Sequence, residues 1–306
     1  MGTPGALLKI KIMKKLLILL LLVPTLAMSG TFKNDEGKPS LKTSSKSGFK
    51  FHTNYMGHND HNFKYIEDKS KARAGKYFQR FELRDGDCFK DDGVDGWNDC
   101  ENNRERVELS ARPVQPPKKI QCYGYSLMLS EDFIDVHPTN TDLGQVHQIG
   151  GPSGTAGGLA SLPPLIQIGA HEGSLYFGWH ELWGSATNVI DEKRDYKLKS
   201  LEDMKGVWTD ISFCLDFKKK RMDAWVDGIK KVEILESPIF FQPKSIYFKH
   251  GIYRSFISKY KAHASILVES FNGKMPTQIV FYDEIRRGNS IEKVDININP
   301  KLKPVD

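Results

Sequence analysis

The sequence predicts an all-β fold, a curved two-sheet sandwich of the jelly-roll type. Short runs of β-branched and aromatic residues alternate with polar residues, and Gly, Pro, Asn and Asp separate these runs, as in an all-β sandwich. No long segment combines a helical apolar period with capping residues. Because no internal repeat or interdomain linker is visible either, one sandwich is the simplest arrangement.

The N-terminus predicts an export signal over residues 1–29. Lys14 and Lys15 precede the apolar run 16–23, and small residues around Ala27 then offer a cleavage site. The run is shorter than the ~20 apolar residues that a transmembrane helix needs. A start at Met13 would retain the whole signal. We therefore expect a secreted or periplasmic protein with a bacterial-type signal, and no membrane attachment after its removal.

After the signal we expect a flexible Lys/Ser-rich leader over 30–48 and a single domain over 49–306. Removal of residues 1–29 deletes four lysines and no acidic residue, which lowers the formal charge from +6 to +2. A polyanion would then bind a local patch, because the overall charge is small. Export and the absence of a basic nucleic-acid-binding motif argue against nucleic acid as a partner. We expect a monomer.

Strands and hairpins follow one another from Phe49 onward. Alternating segments predict strands at 77–84, 104–110, 123–129 and 279–284, and hairpins at 165–179 and 208–226. Asp227-Gly228 is a hairpin-type turn that follows the second of these. The segment 150–158 contains five glycines in nine residues. Since it directly follows a strand with Gln145 and His147, we expect it to form a mobile flap.

The four cysteines allow disulfides in an exported protein. Cys88 and Cys100 bracket an Asp/Gly-rich loop, and a bridge there would stabilise the fold by about 3 kcal/mol. Cys122 and Cys214 form a second bridge or remain two buried thiols. Because no C-x-x-C pair is present, zinc is not expected.

Three segments far apart in the chain share one alternating pattern: 104–109, 145–147 and 247–253. Side chains of a strand point to opposite faces with a period of two residues. Polar side chains therefore share one face, and these are Arg104, Arg106, Glu108, Gln145, His147, Tyr247, Lys249 and Tyr253. The intervening Val107, Leu109, Val146, Phe248 and Ile252 face a core. Gly251 lies on the polar face, where a missing side chain would admit a bulky group. Such a surface suits an anionic sugar.

These segments resemble the heparin-lyase-I-like and glucuronan-lyase-like polysaccharide lyases, together with 77–84, 225–228 and 282–288. The resemblance covers roughly 49–288 and implies a concanavalin-like jelly roll. The chain is more distantly similar to jelly-roll alginate lyases, which carry the motifs R-T-E-L-R, Q-I-H and Y-F-K-A-G-x-Y-N-Q. Here Ser110 replaces the last arginine, His250 replaces a small residue, and Arg254-Ser255 replaces Asn-Gln. These differences favour the glucuronan and heparin side and leave the substrate open.

The resemblance implies β-elimination at a uronic acid: the C5 proton leaves, the C4–O bond breaks, and a 4,5-unsaturated end forms. Donors must neutralise the substrate carboxylate, and Arg106, Gln145 and Lys249 are of that type. His147 and Tyr253 are the candidate base and acid. If proton and leaving group lie on the same face, Tyr253 could serve as both, which requires that its pKa be lowered from ~10, an effect that Arg106 or Lys249 would favour.

Further candidates complete the predicted site. Substrate-binding residues are Lys249, Arg104, Glu108 and Arg254, although Glu108 could instead orient Arg106 through an ion pair. His250 is expected to face inward with a hydrogen-bond partner. Two alternative functions remain: a non-catalytic carbohydrate-binding jelly roll, and a jelly-roll glycoside hydrolase. The hydrolase would need two carboxylates beside the bond, which the motifs do not supply.

The chemistry requires no cofactor, and we expect no catalytic metal. An Asp-rich loop leaves a structural Ca²⁺ ion open, because Ca²⁺ prefers several oxygen ligands. Its weak candidate ligands are Asp87, Asp91 and Asp95, with Asp85, Asp92 and Asp99 nearby. The spacing does not match an EF-hand loop, so a solvated turn held by the disulfide is the preferred interpretation.

Overall fold

The computed structural model describes residues 31–33, 39–41, 51–90, 98–112, 116–159, 162–236 and 242–305. Within these ranges the strands form two sheets with antiparallel neighbours. This arrangement confirms the predicted jelly-roll sandwich. No helix among the described residues is long and apolar enough to span a bilayer.

The larger sheet carries the three motif strands at its centre. Its nine described strands are, in spatial order, β1 (Thr31–Lys33), β2 (Pro39–Leu41), β3 (Phe51–Met56), β6 (Arg104–Arg112), β15 (Ser245–Ser255), β8 (Asn140–Ile149), β9 (Ile166–His171), β10 (Ser174–Ser185) and β11 (Asn188–Ser200). The strands β6, β15 and β8 are direct neighbours, which brings segments separated by more than a hundred residues into one surface.

The smaller sheet covers the other side of the core. Its seven described strands are, in spatial order, β14 (Ile229–Ile234), β13 (Arg221–Val226), β12 (Thr209–Asp216), β7 (Ile120–Leu129), β16 (Gln278–Gly288), β5 (Tyr77–Leu83) and β4 (Phe63–Glu67). A helix that the sequence did not predict, α1 (Ile257–Leu267), directly follows β15. Each predicted strand and each arm of the predicted hairpins corresponds to one of these strands, to within one residue where a predicted segment extends beyond it.

The core lies between the two sheets and is one continuous cluster of buried side chains. The predicted inward residues of the motif strands all belong to it, namely Val107, Leu109, Val146, Phe248 and Ile252. Phe248 stacks on Tyr123 of the opposite sheet with ring centroids 5.3 Å apart. Because the apolar side of each motif strand is held in this core, its polar side is fixed on the outer face.

Both cysteine pairs are bridged. The predicted Cys88–Cys100 disulfide is confirmed, and Cys122–Cys214 forms the second bridge, between paired residues of β7 and β12. The predicted export signal lies outside the described residues. In the predicted leader, the described strands β1 and β2 extend the edge of the larger sheet, and the flexibility of this segment stays a prediction.

Candidate active site

The strand register places the motif side chains side by side on the outer face of the larger sheet. On β15, Lys249 is opposite Gln145 of β8 and Tyr247 is opposite His147. On the other side of β15, Tyr253 is opposite Arg106 of β6. Along β15, Lys249 therefore lies between Tyr247, which is paired with His147, and Tyr253. The three sequence motifs meet in one site, as predicted.

Glu108 is the centre of this site. Its carboxylate lies 3.0 Å from Lys249 Nζ and 3.4 Å from Arg106 Nη1, and it accepts a hydrogen bond from the Gln145 amide. Only 1% of the Glu108 residue surface is exposed. A buried carboxylate is tolerated when it is paired and hydrogen-bonded, and here its partners are the predicted donors. The sequence left the role of Glu108 open, and this geometry favours the orienting role.

Arg106 is held from two directions. Its Nε and Nη2 lie 2.9 and 3.0 Å from the two carboxylate oxygens of Asp99, a bidentate geometry that fixes the guanidinium plane. The same guanidinium lies over the Tyr253 ring, 4.1 Å from its centroid. Asp99 directly precedes Cys100, so the Cys88–Cys100 bridge restrains the loop that anchors this arginine.

A cavity of about 420 Å³ opens beside Arg106. The Cys88–Cys100 bridge forms part of its wall, and polar side chains complete the lining, among them His58, Asn59, Asn62 and Lys90. The cavity therefore continues the polar surface of the site beyond the Arg106 end of the motif strands. Its lining includes cationic and amide side chains and the carboxylate of Asp87.

Lys249 is buried, with 4% of its surface exposed. Burial lowers the pKa of this lysine, and Glu108 opposes the shift by favouring the charged ammonium. Lys249, Arg106, Gln145 and Glu108 thus form a donor-rich floor, in which Glu108 orients the three donors.

His147 carries a neutral imidazole with a defined tautomer. Burial lowers its pKa to about 3, and the charge of Lys249 acts in the same direction. The Nδ1 atom lies 3.1 Å from the Gln148 carbonyl oxygen. Since a carbonyl can only accept, Nδ1–H is the donor, and the proton of the neutral ring is on Nδ1. Nε2 then has a free lone pair, as a general base requires.

Tyr253 is protonated, whereas a tyrosine that acts as a base must be deprotonated. Burial raises its pKa to about 12, although Arg106 and Arg104 favour the phenolate. The sequence led us to expect that neighbouring cations would lower this pKa. The burial effect outweighs them, and the hydroxyl keeps its proton at neutral pH. Tyr253 is therefore suited to donate a proton.

Gly251 has a different role from the one predicted. A Cβ atom there would lie 2.2 Å from the Val107 carbonyl oxygen, and the residue has a φ of +132°. Only glycine adopts this backbone conformation easily. Gly251 thus permits close approach of the β6 backbone and does not make room for a ligand. It lies within an irregularity where four steps along β15 match three along β8.

Tyr282 of β16 contacts both strands at this irregularity, which sequence reasoning missed. Its buried hydroxyl lies 2.6 Å from the Leu143 carbonyl oxygen of β8 and 2.8 Å from the Gly251 carbonyl oxygen of β15. Both carbonyls belong to the segment where the regular β8–β15 pairing is interrupted. The hydroxyl thereby helps to fix the offset that places Gln145 and His147 relative to Tyr253. No local sequence signal identifies such a residue, because the contact depends on packing between the sheets.

We expect Tyr282→Phe to lower the free energy of unfolding by about 1–3 kcal/mol, because the two buried carbonyls lose the single hydroxyl proton that they share. Tyr125→Phe is the matched control. That tyrosine is also buried in the core, and its hydroxyl has no hydrogen-bond partner among the described residues. Its removal should be nearly neutral. Denaturant unfolding of the two variants measures both effects, and equal losses would contradict the role of Tyr282.

Arg254 corrects the predicted set of substrate-binding residues. Its side chain is fully buried, forms an ion pair with Glu105, and donates to the Pro276 and Arg84 carbonyls at 2.6 and 3.1 Å. It follows Tyr253 directly, so strand alternation turns it away from the outer face. His250 also faces inward, as predicted, with Nε2 2.7 Å from Gln79 Oε1.

Arg104 lies at the end of β6, half-buried, with its guanidinium 4.9 Å from the centroid of the Phe256 ring. This position is on the Tyr253 side of the floor, one polar position before Arg106. Substrate binding by Arg104 stays a prediction. The glycine-rich segment 150–158 packs its Ala156 with Leu162 and with Leu182 of β10 in a small separate cluster, and its predicted mobility also stays a prediction.

The aspartates of the predicted calcium loop already have protein partners where they are described. Asp87 accepts hydrogen bonds from Asn59 and Asn62, and Asp99 pairs with Arg106. Asp85 pairs with Lys261. The other candidates, Asp91, Asp92 and Asp95, lie outside the described residues. A structural Ca²⁺ ion in this loop therefore stays a prediction.

Solved structures share this architecture. Endo-β-1,4-glucuronan lyase from the fungus Trichoderma reesei aligns with a TM-score of 0.52 at 18% identity, over 78% of this chain and 92% of that chain. Family 7 alginate lyase A1-II' with bound product aligns with a TM-score of 0.47 at 11% identity, over 76% and 85%. An alginate lyase from Pseudomonas aeruginosa gives 0.44 at 13% identity, over 76% and 87%. The first alignment shows a common fold.

Among curated proteins, no sequence matches this chain. The profile of the polysaccharide lyase family matches residues 42–286, a range that includes all three motif strands. The predicted resemblance to polysaccharide lyases is confirmed, whereas the one to heparin lyase I stays a prediction. The family match decides against the carbohydrate-binding and glycoside hydrolase alternatives. The chain belongs to the polysaccharide lyase family and is a polysaccharide lyase.

Proposed function

We propose that this lyase is secreted and cleaves a uronic-acid-containing polysaccharide, of the glucuronan, alginate or heparin type, by β-elimination that leaves 4,5-unsaturated ends. One observation carries the proposal. A neutral His147 with an unprotonated Nε2 and a protonated Tyr253 lie on the same face as a cationic, donor-rich floor. The two disulfides fit an oxidising compartment outside the cytoplasm.

The floor provides the electrostatic part of the reaction. When the C5 proton leaves, negative charge develops on the uronate and spreads into its carboxylate. Preorganised donors at that carboxylate stabilise the transition state. Arg106 and Lys249 supply positive charge, Gln145 supplies an amide, and Glu108 holds all three in place. The low exposure of the floor strengthens these interactions, because water screens them less.

His147 and Tyr253 provide the proton transfers. His147 Nε2 accepts the C5 proton, and the electron pair of the broken C–H bond is delocalised into the carboxylate. This pair forms the C4–C5 double bond as the C4–O bond breaks, and the Tyr253 hydroxyl protonates the leaving oxygen. This division of roles suits a uronate whose C5 proton and C4 oxygen lie on opposite faces of the ring. The protein side chains suffice for these steps, and no cofactor takes part.

The rate should depend little on pH across the neutral range. His147 acts when unprotonated, so activity is lost as pH falls through its pKa of about 3. Tyr253 acts when protonated, so activity is lost as pH rises through its pKa of about 12. We therefore expect kcat/KM to be nearly constant between about pH 5 and pH 9 with respect to these two groups.

The measurement is a profile of kcat/KM against pH, recorded within the range where the protein stays folded. Burial also raises the pKa of Asp142, opposite Tyr253, to about 6. If the profile shows an inflection near pH 6 that disappears in Asp142→Asn, the inflection belongs to this carboxyl. An inflection at the ordinary histidine value that persists in Asp142→Asn would contradict the neutral state of His147.

A panel of polymers tests the proposed function. Purified mature protein is incubated with glucuronan, alginate, heparin, heparan sulfate and chondroitin, and ultraviolet absorbance reports unsaturated ends. We expect absorbance to rise on at least one polymer, with one unsaturated end formed per bond cleaved, in a fragment that lacks one water relative to its hydrolysis product. In glucuronan the C5 proton and the C4 oxygen lie on the same face of the ring. Cleavage of this polymer alone would therefore assign the role of base to Tyr253. Hydrolysed products without unsaturation would refute elimination.

A further inference from the structure

Three metal-ligating side chains converge away from the floor, at the end of the β9–β10 hairpin. His171 is the last residue of β9 and Glu172 begins the turn into β10, while His137 lies in the loop before β8. One ligand atom from each of the three residues lies within 4.8 Å of the others. Two imidazoles and a carboxylate are a ligand set that Zn²⁺ takes in proteins.

A fourth residue holds the two ligand-bearing segments together. Asp135 Oδ1 accepts a hydrogen bond from the His137 backbone N–H at 3.1 Å. The other oxygen, Oδ2, accepts one from the Gly173 backbone N–H at 2.6 Å. A single carboxylate therefore connects the loop of His137 with the turn of Glu172. This connection positions the ligands before any ion binds, which reduces the ordering cost of binding.

His171 is oriented by one neighbour on the adjoining strand β10 and another on β11. Its ring stacks on Tyr176 with centroids 4.1 Å apart and an interplanar angle of 10°. Its Nε2 lies 3.8 Å from the Asp195 carboxylate of β11. A carboxylate beside a metal-binding imidazole commonly fixes the orientation of the ring. The imidazole is thus held in one plane by residues that are not themselves in the ligand cluster.

The distances suit an ion after a small movement of exposed side chains. A tetrahedral Zn²⁺ with ligand bonds of about 2.0–2.1 Å separates its ligand atoms by roughly 3.3 Å. His137 Nε2 and Glu172 Oε1 are 3.9 Å apart, and these side chains are 43% and 63% exposed. His137 and Glu172 can therefore approach by the remaining fraction of an ångström through rotation about their side-chain bonds, and the 4.8 Å limit leaves at most about 1.5 Å to be closed between either of them and His171.

We infer that His137, His171 and Glu172 bind one divalent ion of the zinc class. Two imidazoles among three ligands favour Zn²⁺ over Ca²⁺, which prefers oxygen ligands. Three protein ligands leave one tetrahedral position for water or an added anion. The ion would link the β9–β10 turn to the loop before β8. It would thus stabilise the end of the larger sheet that lies beyond the paired residues Tyr253 and Asp142. It takes no part in the elimination chemistry.

Equilibrium dialysis of the full mature chain with Zn²⁺ tests this inference. The protein must carry no histidine tag and is first treated with a chelator. We expect one zinc ion per chain, retained in a hundredfold excess of Ca²⁺. His137→Ala, His171→Ala and Glu172→Gln should each weaken binding at least about tenfold. The matched control is His263→Ala, because His263 is an exposed histidine on α1, and its binding should equal that of the wild type.

Thermal unfolding gives an independent readout. Added Zn²⁺ should raise the Tm of the wild type and of His263→Ala, because a ligand that binds only the folded state stabilises it. The shift should disappear in His171→Ala, and unliganded Tm values show whether each variant folds. Absence of binding to the folded wild type would overturn the inference, as would binding by His137→Ala and His171→Ala as tight as that of the wild type. Since neither readout uses activity, the result is separate from that of the polymer panel.

Discussion

Tyr253→Phe should reduce the rate of unsaturated-end formation by about 10²–10⁴-fold, because general acid catalysis contributes an effect of that size. The substitution removes only the hydroxyl. The ring remains available to stack under Arg106, 4.1 Å from the guanidinium, so the floor should keep its geometry. KM should change little, since the lost group acts on the leaving oxygen and not on the carboxylate.

The control for this substitution lies on the same strand. Tyr247→Phe also removes a hydroxyl from the outer face of β15, while its ring can still stack on His147, with centroids 5.2 Å apart. We expect its effect to be far smaller. Initial rates of both variants, measured on one polymer at saturating concentration, separate the two tyrosines. Equal losses would show that Tyr253 has no special role as an acid.

Glu108→Ala should lower the free energy of unfolding by about 3–5 kcal/mol, because it leaves buried cations without their counter-charge. Arg106 would keep Asp99, but Lys249 would lose the carboxylate 3.0 Å from its ammonium group. Burial and Arg106 already lower the pKa of Lys249, and Glu108 opposes them. Without Glu108 this pKa falls further, so the floor would also lose positive charge.

Denaturant unfolding measures the stability loss, and two comparison variants interpret it. Glu269→Ala removes an exposed acid from the surface after α1 and should change stability by less than about 0.5 kcal/mol. In Glu108→Leu combined with Lys249→Met, both charges of the pair are removed, and part of the lost stability should return. A loss in Glu108→Ala no larger than that of Glu269→Ala would contradict the central position of Glu108.

Most of the strand pattern could be predicted from the sequence, because one face of each motif strand is buried. The alternation of Val107 with Arg106 and Glu108 determines which side chains share a face, whatever the neighbouring strands are. The apolar side then packs in the core. The same reasoning brought His147, Gln145 and Lys249 to one surface, although it could not supply the order of the strands.

The errors arose where tertiary packing overrides local pattern. Gly251 lies at an irregularity created by pairing with two neighbours, and period-two reasoning cannot detect it. Arg254 was assigned by position in a motif, whereas its partner Glu105 is distant in sequence. The pKa of Tyr253 depends on burial by several elements. In α1, only Ala264 is buried, so this helix lacks the apolar stripe that would have predicted it.

The activity of His147→Ala tests the central claim most directly. The measurement is the initial rate of unsaturated-end formation on a polymer that the wild type cleaves, with Tm as the check on folding. We predict a loss of about 10²–10⁴-fold at a Tm close to that of the wild type. A rate within a few-fold of the wild type, while Tyr253→Phe is inactive, would contradict the account and assign both proton transfers to Tyr253.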